Sequence, residues 1–272
     1  MQKYLVFTDL DGSLLSHQDY SWEKAAPALH MLEKRGFPVI FNSSKTSAEI
    51  LKLKHEMNNH HPFVSENGGV IEIPENYFSP GYQPSDTSGY EIYKPGLPYE
   101  EIIQLLERFR QTFHYEFIGF HDMSVADIMA ETNLSEQQAR DAKRRQATEP
   151  IIWQDSHVAF YQLKQYLEDN NLIITSGGRF SHVMSQFSKG GAIRFLTRKH
   201  QQAEPDTEWF SIGLGDSDND LEMLEAVDYP VLIPNPGSKH PVKASIPNLI
   251  RPVNAGPAGW NQAISGLLEK LQ

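Results

Sequence analysis

Short apolar segments alternate with helical patterns at both ends of the chain, and this alternation limits the possible folds more than any other feature. Toward the amino end, apolar runs at residues 4–8 and 38–41 flank a helical pattern at 24–35. Toward the carboxyl end, apolar runs at 209–212 and 230–233 flank another such pattern. Strands separated by helices are typical of right-handed βαβ units on a parallel sheet. The sequence therefore predicts an α/β fold.

The middle of the chain interrupts this alternation. Five prolines and three glycines lie between residues 74 and 98, and such a cluster indicates a change of structural unit. Short strands and helical patterns follow it, including a predicted helix over 135–147, and the alternating pattern resumes at Lys189. The simplest architecture is a Rossmann-like parallel-sheet core made of residues 1–81 and 188–272. A smaller α+β domain, residues 82–187, is then inserted between the two halves of the core.

The charge balance of the chain indicates which classes of partner it is unsuited to bind. The chain has 35 acidic and 24 basic residues, which gives a formal net charge of −11. We expect neither nucleic acid nor an anionic membrane surface as a partner, because an acidic chain has no electrostatic footprint for them. The absence of cysteine excludes disulfides and thiolate sites. No apolar run reaches the roughly 18 residues of a membrane span. We expect a cytoplasmic protein, whose oligomeric state the sequence leaves open.

Two acidic clusters each follow a predicted strand. Asp9 and Asp11 follow the first apolar run, and Asp216 and Asp220 follow a later one. The carboxyl ends of parallel strands meet at one edge of a sheet, where ligands bind in open α/β proteins. Like charges about 4 Å apart repel by roughly 1–4 kcal/mol in a wet cleft, so a divalent cation would stabilise the four carboxylates. Ligation by oxygen alone, with few protein groups, favours Mg²⁺.

Simpler interpretations apply to each cluster taken alone. Asp11-Gly12 is common turn chemistry, so the first cluster by itself does not separate a turn from a catalytic site. The Asp-x-Asp-x-Asp spacing from Asp216 matches the start of a calcium loop, but Leu221 and Val227 stand where that loop needs Gly and Glu. The glycines fit no nucleotide-binding loop, and no Gly-x-Ser-x-Gly nucleophile elbow occurs.

Four motifs in a fixed order resemble the haloacid dehalogenase superfamily of phosphatases, and the resemblance covers essentially the whole chain. The motifs are Asp9-Leu10-Asp11-Gly12-Ser13, Ser43 after the second strand, Lys189 at the start of a helix, and Gly215-Asp216-Ser217-Asp218-Asn219-Asp220. The segment inserted between Ser43 and Lys189 is similar to the larger α/β cap of the sugar-phosphatase branch.

The resemblance implies a magnesium-dependent phosphatase that works through an aspartyl-phosphate intermediate. Asp9 would attack phosphorus, and Asp11 would protonate the leaving alkoxide and then deprotonate the hydrolytic water. The side chains of Asp9 and Asp216 would ligate Mg²⁺ together with the backbone carbonyl of Asp11. Ser43 would donate a hydrogen bond to the phosphoryl oxygens, and Lys189 would counter their charge.

Two more residues of the last motif, Asn219 and Asp220, would brace the site. Taken singly, several of these residues have plainer roles. Ser43 is then a turn hydroxyl, Lys189 a solvated residue before a helix, and Asp220 a helix N-cap. Only the joint pattern favours the catalytic interpretation.

Local sequence in four places resembles the mannosyl-3-phosphoglycerate phosphatase branch of this superfamily. The matching stretches are residues 42–49, 65–68, 178–182 and 214–220. The resemblance implies hydrolysis of mannosyl-3-phosphoglycerate to mannosylglycerate, a compatible solute, and phosphate.

The inserted domain would supply substrate specificity. Strand alternation predicts Arg179, Ser181 and Val183 on one face of a cap strand. We expect Arg179 to bind a second carboxylate or phosphate of the substrate, and a salt bridge at the rim is the alternative. Ser181 would contact the substrate beside it, and the core would add three contacts, from Ser44, Lys45 and Asn67.

Three other functions remain open. The substrate of a related phosphatase would be glucosyl-3-phosphoglycerate or sucrose phosphate. A phosphosugar mutase would share the core chemistry but return the phosphoryl group to sugar, and it would require a sugar bisphosphate. A non-enzymatic phospho-ligand protein would be expected to have lost Asp9 or Asp11, and this chain keeps both.

Overall fold

The computed structural model describes residues 2–83, 89–177, 180–237 and 242–271. The strands are β1 (Gln2–Thr8), β2 (Val39–Asn42), β3 (Phe63–Ser65), β4 (Val70–Pro74), β5 (Tyr90–Tyr93), β6 (Phe117–Gly119), β7 (Thr148–Trp153), β8 (Leu172–Gly177), β9 (Phe180–Ser185), β10 (Glu208–Gly215) and β11 (Tyr229–Leu232). The helices are α1 (Ala26–Lys34), α2 (Ser47–Glu56), α3 (Tyr99–Phe113), α4 (Val125–Thr132), α5 (Glu136–Ala142), α6 (His157–Asp169), α7 (Lys189–Ala203), α8 (Leu221–Glu225) and α9 (Gly256–Lys270). None of the helices in these ranges is both long and apolar enough to cross a membrane.

Seven strands form the larger sheet, in the order β11-β10-β1-β2-β3-β4-β5. The five strands from β11 to β3 run parallel, as the sequence predicts. β4 and β5 run antiparallel to their neighbours. The connection between β3 and β4 explains the change of direction, because residues 66–69 are too few for the crossover of a dozen or more that a parallel pair needs.

Both faces of this sheet are buried. Alternation along β1 sends Tyr4 and Val6 to one face and Leu5 and Phe7 to the other. Helices α1, α2 and α9 cover the first face, and α7 and α8 cover the second. Each large apolar side chain buried here contributes roughly 1.5–3 kcal/mol. A strand covered on both sides carries a continuous apolar run, and this one ends where Asp9 begins.

The second sheet has four antiparallel strands in the order β6-β7-β9-β8. Helices α3 and α6 pack against it through buried residues such as Phe109 and Leu163. Helices α4 and α5 pack in a smaller cluster around Phe120 and Ile128. This is the α+β organisation that the sequence predicts for the inserted domain.

Two segments in the range predicted for the inserted domain differ from expectation. β5 pairs with β4 at the edge of the larger sheet, so the sequence range and the sheet boundary do not coincide there. The helix predicted over 135–147 ends at Ala142. The backbone N–H groups of Gln146 and Ala147 donate instead to the carboxylate of Glu66, and such tertiary contacts override helix propensity.

The carboxylate of Glu66 ties the second sheet to the first. It is fully buried, and it accepts hydrogen bonds from the backbone N–H groups of residues 146–148 at 2.8–3.0 Å. It also accepts the hydroxyl of Thr148 at 2.8 Å. Nearby, Arg145 donates to the carbonyl of Ser44 at 3.0 Å. These contacts seat the second sheet over the carboxyl ends of the parallel strands.

Candidate active site

Asp9 follows the end of β1, and Lys189 begins α7 beside it. The Nζ atom of Lys189 lies 2.6 Å from Oδ1 of Asp9 and 2.7 Å from Oδ1 of Asp220. Lys189 is only 2% exposed. Although burial alone would lower it, the pKa of Lys189 is raised by Asp220 and Asp9. The ammonium is therefore a fixed positive charge between two carboxylates.

One lysine does not fully offset the negative charge around Asp9. Burial, together with the neighbours Asp220, Asp216 and Asp11, raises the pKa of Asp9 to about 8 against the opposing effect of Lys189. A carboxylate that is to act as a nucleophile at neutral pH must be ionised. Ionisation of Asp9 at neutral pH would therefore be favoured by positive charge beyond that of Lys189.

Asp11 faces a different environment from Asp9. Its Oδ2 lies 2.8 Å from Nζ of Lys45, and its side chain is 35% exposed. Its Oδ1 is buried and accepts no hydrogen bond from the described residues. Gly12 follows with a φ of 78°, and a Cβ there would collide with His17 and with the carboxylate of Asp216. The turn needs glycine, and it leaves Asp11 one uncommitted oxygen that can hold or release a proton.

Asp216 follows the end of β10, next to β1. Its Oδ2 accepts a hydrogen bond from Nδ2 of Asn235 at 2.6 Å, and Nε2 of His17 lies 3.4 Å from the same oxygen. Burial and Asp220 raise the pKa of Asp216 to about 6, whereas His17 and Asn235 act to lower it.

Asp220 is fully buried, and donors occupy both of its oxygens. Oδ2 accepts the backbone N–H groups of Asp216 and Ser217 at 3.0 and 3.1 Å and the hydroxyl of Ser217 at 3.0 Å. Oδ1 contacts Lys189. The loop after β10 is thus folded around this carboxylate, which fits the bracing role that the sequence predicts.

Three carboxylates form a group that can hold a metal ion. Asp9, Asp216 and Asp220 each offer one oxygen, and these atoms lie within 4.8 Å of one another. Because Asp220 is already occupied, the free ligands are Oδ2 of Asp9 and Oδ1 of Asp216, which accept no hydrogen bond within the described part of the chain. A hard oxygen donor set fits Mg²⁺, and a cation there would lower the raised pKa of both groups.

The loop after β2 brings three predicted residues to the same edge of the sheet. Ser43 is 1% exposed, and its N–H group donates to the carbonyl of Val64 at 3.0 Å. Its hydroxyl accepts the backbone N–H of Lys45 at 3.3 Å. The residue between them, Ser44, lines the cleft described below.

The turn after β3 adds Asn67. Its Oδ1 accepts a hydrogen bond from Nδ2 of Asn219 at 2.9 Å, so the turn and the loop after β10 are joined. Gly68 follows with a φ of 102°, and a Cβ there would collide with the backbone carbonyl of Ser188. This glycine lets the turn approach the start of α7, where Lys189 lies.

A cleft of about 480 Å³ separates these carboxylates from the second sheet. Core residues such as Asp9 and Asp216 line one side, and Thr175 and His182 of the second sheet line the other. Burial, together with the nearby Arg145, lowers the pKa of His182 to about 3. The ring of His182 is therefore a neutral imidazole at physiological pH.

Two predicted substrate contacts, Lys45 and Ser181, are not among the described residues that line this cleft. Ser181 neighbours His182 on β9, so alternation turns it to the opposite face. Val183 shares that opposite face and is packed in the core of the second sheet. Arg179 lies outside the described residues, and its contact with substrate stays a prediction.

Sequence reasoning missed several residues of the site. Asn235 follows a parallel strand closely, which is the same signal that identified the acidic clusters. His182 was missed because the opposite face of β9, with Ser181, was assigned to the cleft, and Thr175, which pairs with His182 from β8, was missed with it. The apolar side chain of Val183 was the available signal. Its face of β9 would pack against helices, so the adjacent residue His182 would point to the other face, toward the cleft.

Comparison with known proteins agrees with this geometry. A model of the haloacid dehalogenase-like hydrolase family matches residues 6–255. A relative from Methanococcoides burtonii, named glucosyl-3-phosphoglycerate/mannosyl-3-phosphoglycerate phosphatase, is 37% identical over 269 residues and 98% of each chain. A relative of the same name from Persephonella marina is 34% identical over 269 residues, again 98% of each chain. A haloalkanoate-superfamily phosphatase from Bacteroides thetaiotaomicron shares the fold, with a TM-score of 0.68 at 13% identity over 99% of this chain and 95% of that one.

Proposed function

The chain belongs to the haloacid dehalogenase-like hydrolase family and is a phosphoric monoester hydrolase, and from this premise we propose that it releases phosphate from mannosyl-3-phosphoglycerate through an aspartyl-phosphate intermediate. We include glucosyl-3-phosphoglycerate as a second substrate of the same site, because the names of both relatives pair the two compounds. The two sugars differ only in the orientation of one hydroxyl group.

The observation that carries the proposal is the position of Asp9 between Lys189 and the cleft. One oxygen of Asp9 is held 2.6 Å from a buried ammonium, and the other has no protein donor among the described residues. The carboxylate is therefore held in one orientation beside the space where a phosphoryl group would sit. Preorganisation of this kind lowers the barrier to attack on phosphorus.

In the first step of the proposed reaction, Asp9 attacks phosphorus, and the bond between phosphorus and the glycerate oxygen breaks. Asp11 gives its proton to that leaving oxygen. In the second step, Asp11 takes a proton from a water molecule, and the resulting hydroxide attacks phosphorus. The bond to Asp9 then breaks, which releases inorganic phosphate and restores the carboxylate. The uncommitted Oδ1 of Asp11 suits both proton transfers.

Mg²⁺ would be held by the side chains of Asp9 and Asp216 and by the backbone carbonyl of Asp11. When bound, it supplies positive charge that offsets the charge of the phosphoryl oxygens. Ser43 would donate to a phosphoryl oxygen, and Lys189 would hold Asp9 and counter the transferred charge.

We further propose that substrate selection belongs to the inserted domain. β6 to β9 and α3 to α6 form that domain, and two of its residues line the cleft. Because β5 pairs in the larger sheet, we place the amino-terminal crossing after Tyr93 and the return crossing near Ser188.

The decisive experiment compares wild type with Asp9→Asn on a panel of phosphate esters. The panel contains both glycosyl-3-phosphoglycerates, sucrose phosphate, 3-phosphoglycerate and p-nitrophenyl phosphate, each with and without Mg²⁺. We expect Asp9→Asn to abolish both phosphate release and labelling of the protein by substrate phosphate. Asp206→Asn is the control, because Asp206 is exposed and is not among the residues that line the cleft.

Two outcomes would contradict separate parts of the proposal. Equal phosphate release by wild type and Asp9→Asn would contradict the intermediate. Turnover of another ester, with none of either glycosyl-3-phosphoglycerate, would contradict the substrate. A requirement for a sugar bisphosphate would instead indicate a mutase.

A further inference from the structure

Thr175 and His182 form a cross-strand pair on the side of the second sheet that faces the cleft. They lie directly opposite each other on β8 and β9, and both line the cleft together with Asp9 and Asp216. Side chains that are directly opposite in an antiparallel pair have Cβ atoms about 5 Å apart. The two polar groups therefore serve one small area above the carboxylates.

Neither side chain bonds to a nitrogen or oxygen atom within the described part of the protein. Nδ1 of His182 is buried and unpartnered, and the hydroxyl of Thr175 has only a 4.0 Å contact with the sulfur of Met184. An unpaired N–H group is rarer in protein interiors than an unpaired acceptor, so we assign the ring proton to Nε2. The pair then offers the cleft one imidazole N–H and one hydroxyl.

The charges of the cleft decide what this pair can bind. Its described lining contains the carboxylates of Asp9, Asp11, Asp216 and Asp218 and no lysine or arginine. The ring of His182 is uncharged at physiological pH. A second anionic group of the substrate would meet these carboxylates and no lysine or arginine of the described lining, with Arg145 behind His182 as the nearby positive charge. Neutral hydroxyl groups, which both donate and accept, match an imidazole N–H and a threonine hydroxyl.

We propose that Thr175 and His182 bind hydroxyl groups of the sugar ring, and that this contact makes the protein prefer glycosylated phosphate esters to small ones. The inference rests on the proposed function, because it assigns the sugar part of that substrate to named residues. It also separates two parts of the substrate, since the phosphoryl group binds beside Asp9 and the sugar binds beneath the second sheet.

The test compares His182→Ala and Thr175→Val with Ser181→Ala, whose side chain lies on the opposite face of the same strand. Each variant is assayed with mannosyl-3-phosphoglycerate and with 3-phosphoglycerate, which lacks the sugar. Loss of one neutral hydrogen bond should raise KM for the glycosylated ester roughly five- to tenfold. We expect kcat/KM for 3-phosphoglycerate to stay unchanged, Ser181→Ala to match wild type, and His182→Gln to recover part of the loss.

Equal losses on both esters in His182→Ala, or no loss on either, would overturn the inference. Thermal unfolding of each variant shows whether the fold is intact, and the more conservative His182→Gln and Thr175→Val carry the test where His182→Ala unfolds. If wild type hydrolyses neither glycosyl-3-phosphoglycerate, the proposed function fails. In that case kcat/KM is compared between the sugar phosphate that wild type does hydrolyse and p-nitrophenyl phosphate. If the ratio of these two values is the same in His182→Gln and Thr175→Val as in wild type, this inference is still overturned.

Discussion

The side-chain amide of Asn235 donates a 2.6 Å hydrogen bond to Oδ2 of Asp216. This bond fixes one oxygen of the carboxylate and leaves the other for a cation. Residues that orient metal ligands typically account for a 10- to 100-fold change in metal affinity. We therefore expect Asn235→Ala to raise the Mg²⁺ concentration needed for half-maximal phosphate release by roughly tenfold or more.

The same variant can be examined without turnover. Calorimetric titration of Mg²⁺ into the substrate-free protein should show the same loss of affinity. Asn254→Ala provides the control, since Asn254 is an exposed asparagine that bonds Gln262 instead. Wild-type Mg²⁺ affinity in Asn235→Ala would show that the contact is not needed to hold the ligand.

A second prediction separates the two carboxylates at the end of β1. Asp11→Asn keeps the shape of the side chain but removes its ability to exchange a proton, and acid–base catalysis typically contributes 10²- to 10⁴-fold. We expect kcat to fall by about that factor. With p-nitrophenyl phosphate, whose leaving group needs little protonation, phosphorylated protein should accumulate because its hydrolysis still requires a base. Acid quenching and mass measurement detect it, and a kcat within a few-fold of wild type would refute the role.

Stability should depend on the Glu66 carboxylate. It accepts three backbone N–H groups and one hydroxyl in a fully buried position. In Glu66→Gln an amide NH₂ would face donors that it cannot bond. We expect the free energy of unfolding to fall by about 2–4 kcal/mol, measured by equilibrium denaturation in urea. Glu136→Gln breaks only an exposed ion pair with Arg140 and should change stability by less than about 0.5 kcal/mol.

A fourth prediction concerns the pH dependence of stability. Burial raises the pKa of Glu149 from 4.5 to about 7, although the N–H of His121 and the hydroxyl of Tyr99 act against the shift. Below about pH 4.5 the carboxyl group is protonated in both the folded and the unfolded chain, so it does not lower the free energy of unfolding. Between about pH 4.5 and about pH 7 the unfolded chain loses this proton while the folded chain keeps it, so the free energy of unfolding falls by up to roughly 3 kcal/mol, and the loss is complete above about pH 7.

Glu149→Gln should remove this contribution. The free energy of unfolding of wild type and variant is measured by urea denaturation at about pH 5 and about pH 7.5. The difference between the two proteins reports Glu149 alone, because the other carboxylates titrate in both. We expect the variant to gain stability relative to wild type at the higher pH. A stability difference that does not change between the two pH values would contradict the prediction.

Much of the fold follows from local patterns that tertiary contacts do not alter. The apolar run before Asp9 is continuous because β1 is covered on both faces, so the strand and the position of its carboxylate could be predicted together. The convergence of Asp9 with Asp216 follows from parallel strands that share one edge. The family resemblance implied that Lys189 belongs to the same site, and its Nζ lies 2.6 Å from Oδ1 of Asp9.

The features that sequence did not predict depend on distant partners. The helix predicted over 135–147 stops early because Glu66 binds the backbone that would have continued it. The cleft-facing side of β9 depends on which face the cap helices cover, and that is decided by packing at Val183. Asn235 follows a predicted strand, but its hydrogen bond to Asp216 depends on that strand lying beside the one that precedes Asp216.

The turn after β3 contains two neighbouring residues that hold different parts of the molecule. Glu66 accepts hydrogen bonds from the backbone at the start of β7, and Asn67 accepts a hydrogen bond from Asn219 in the loop that carries Asp216. A single peptide bond thus joins the residue that binds the second sheet to the residue that binds the loop after β10. If the second sheet rotates about its hydrogen bonds to Glu66, the Glu66–Asn67 peptide bond transmits that motion to the loop after β10. A substitution far out in the inserted domain can then alter the chemistry without touching the substrate, and a search for variants with altered turnover has reason to begin there.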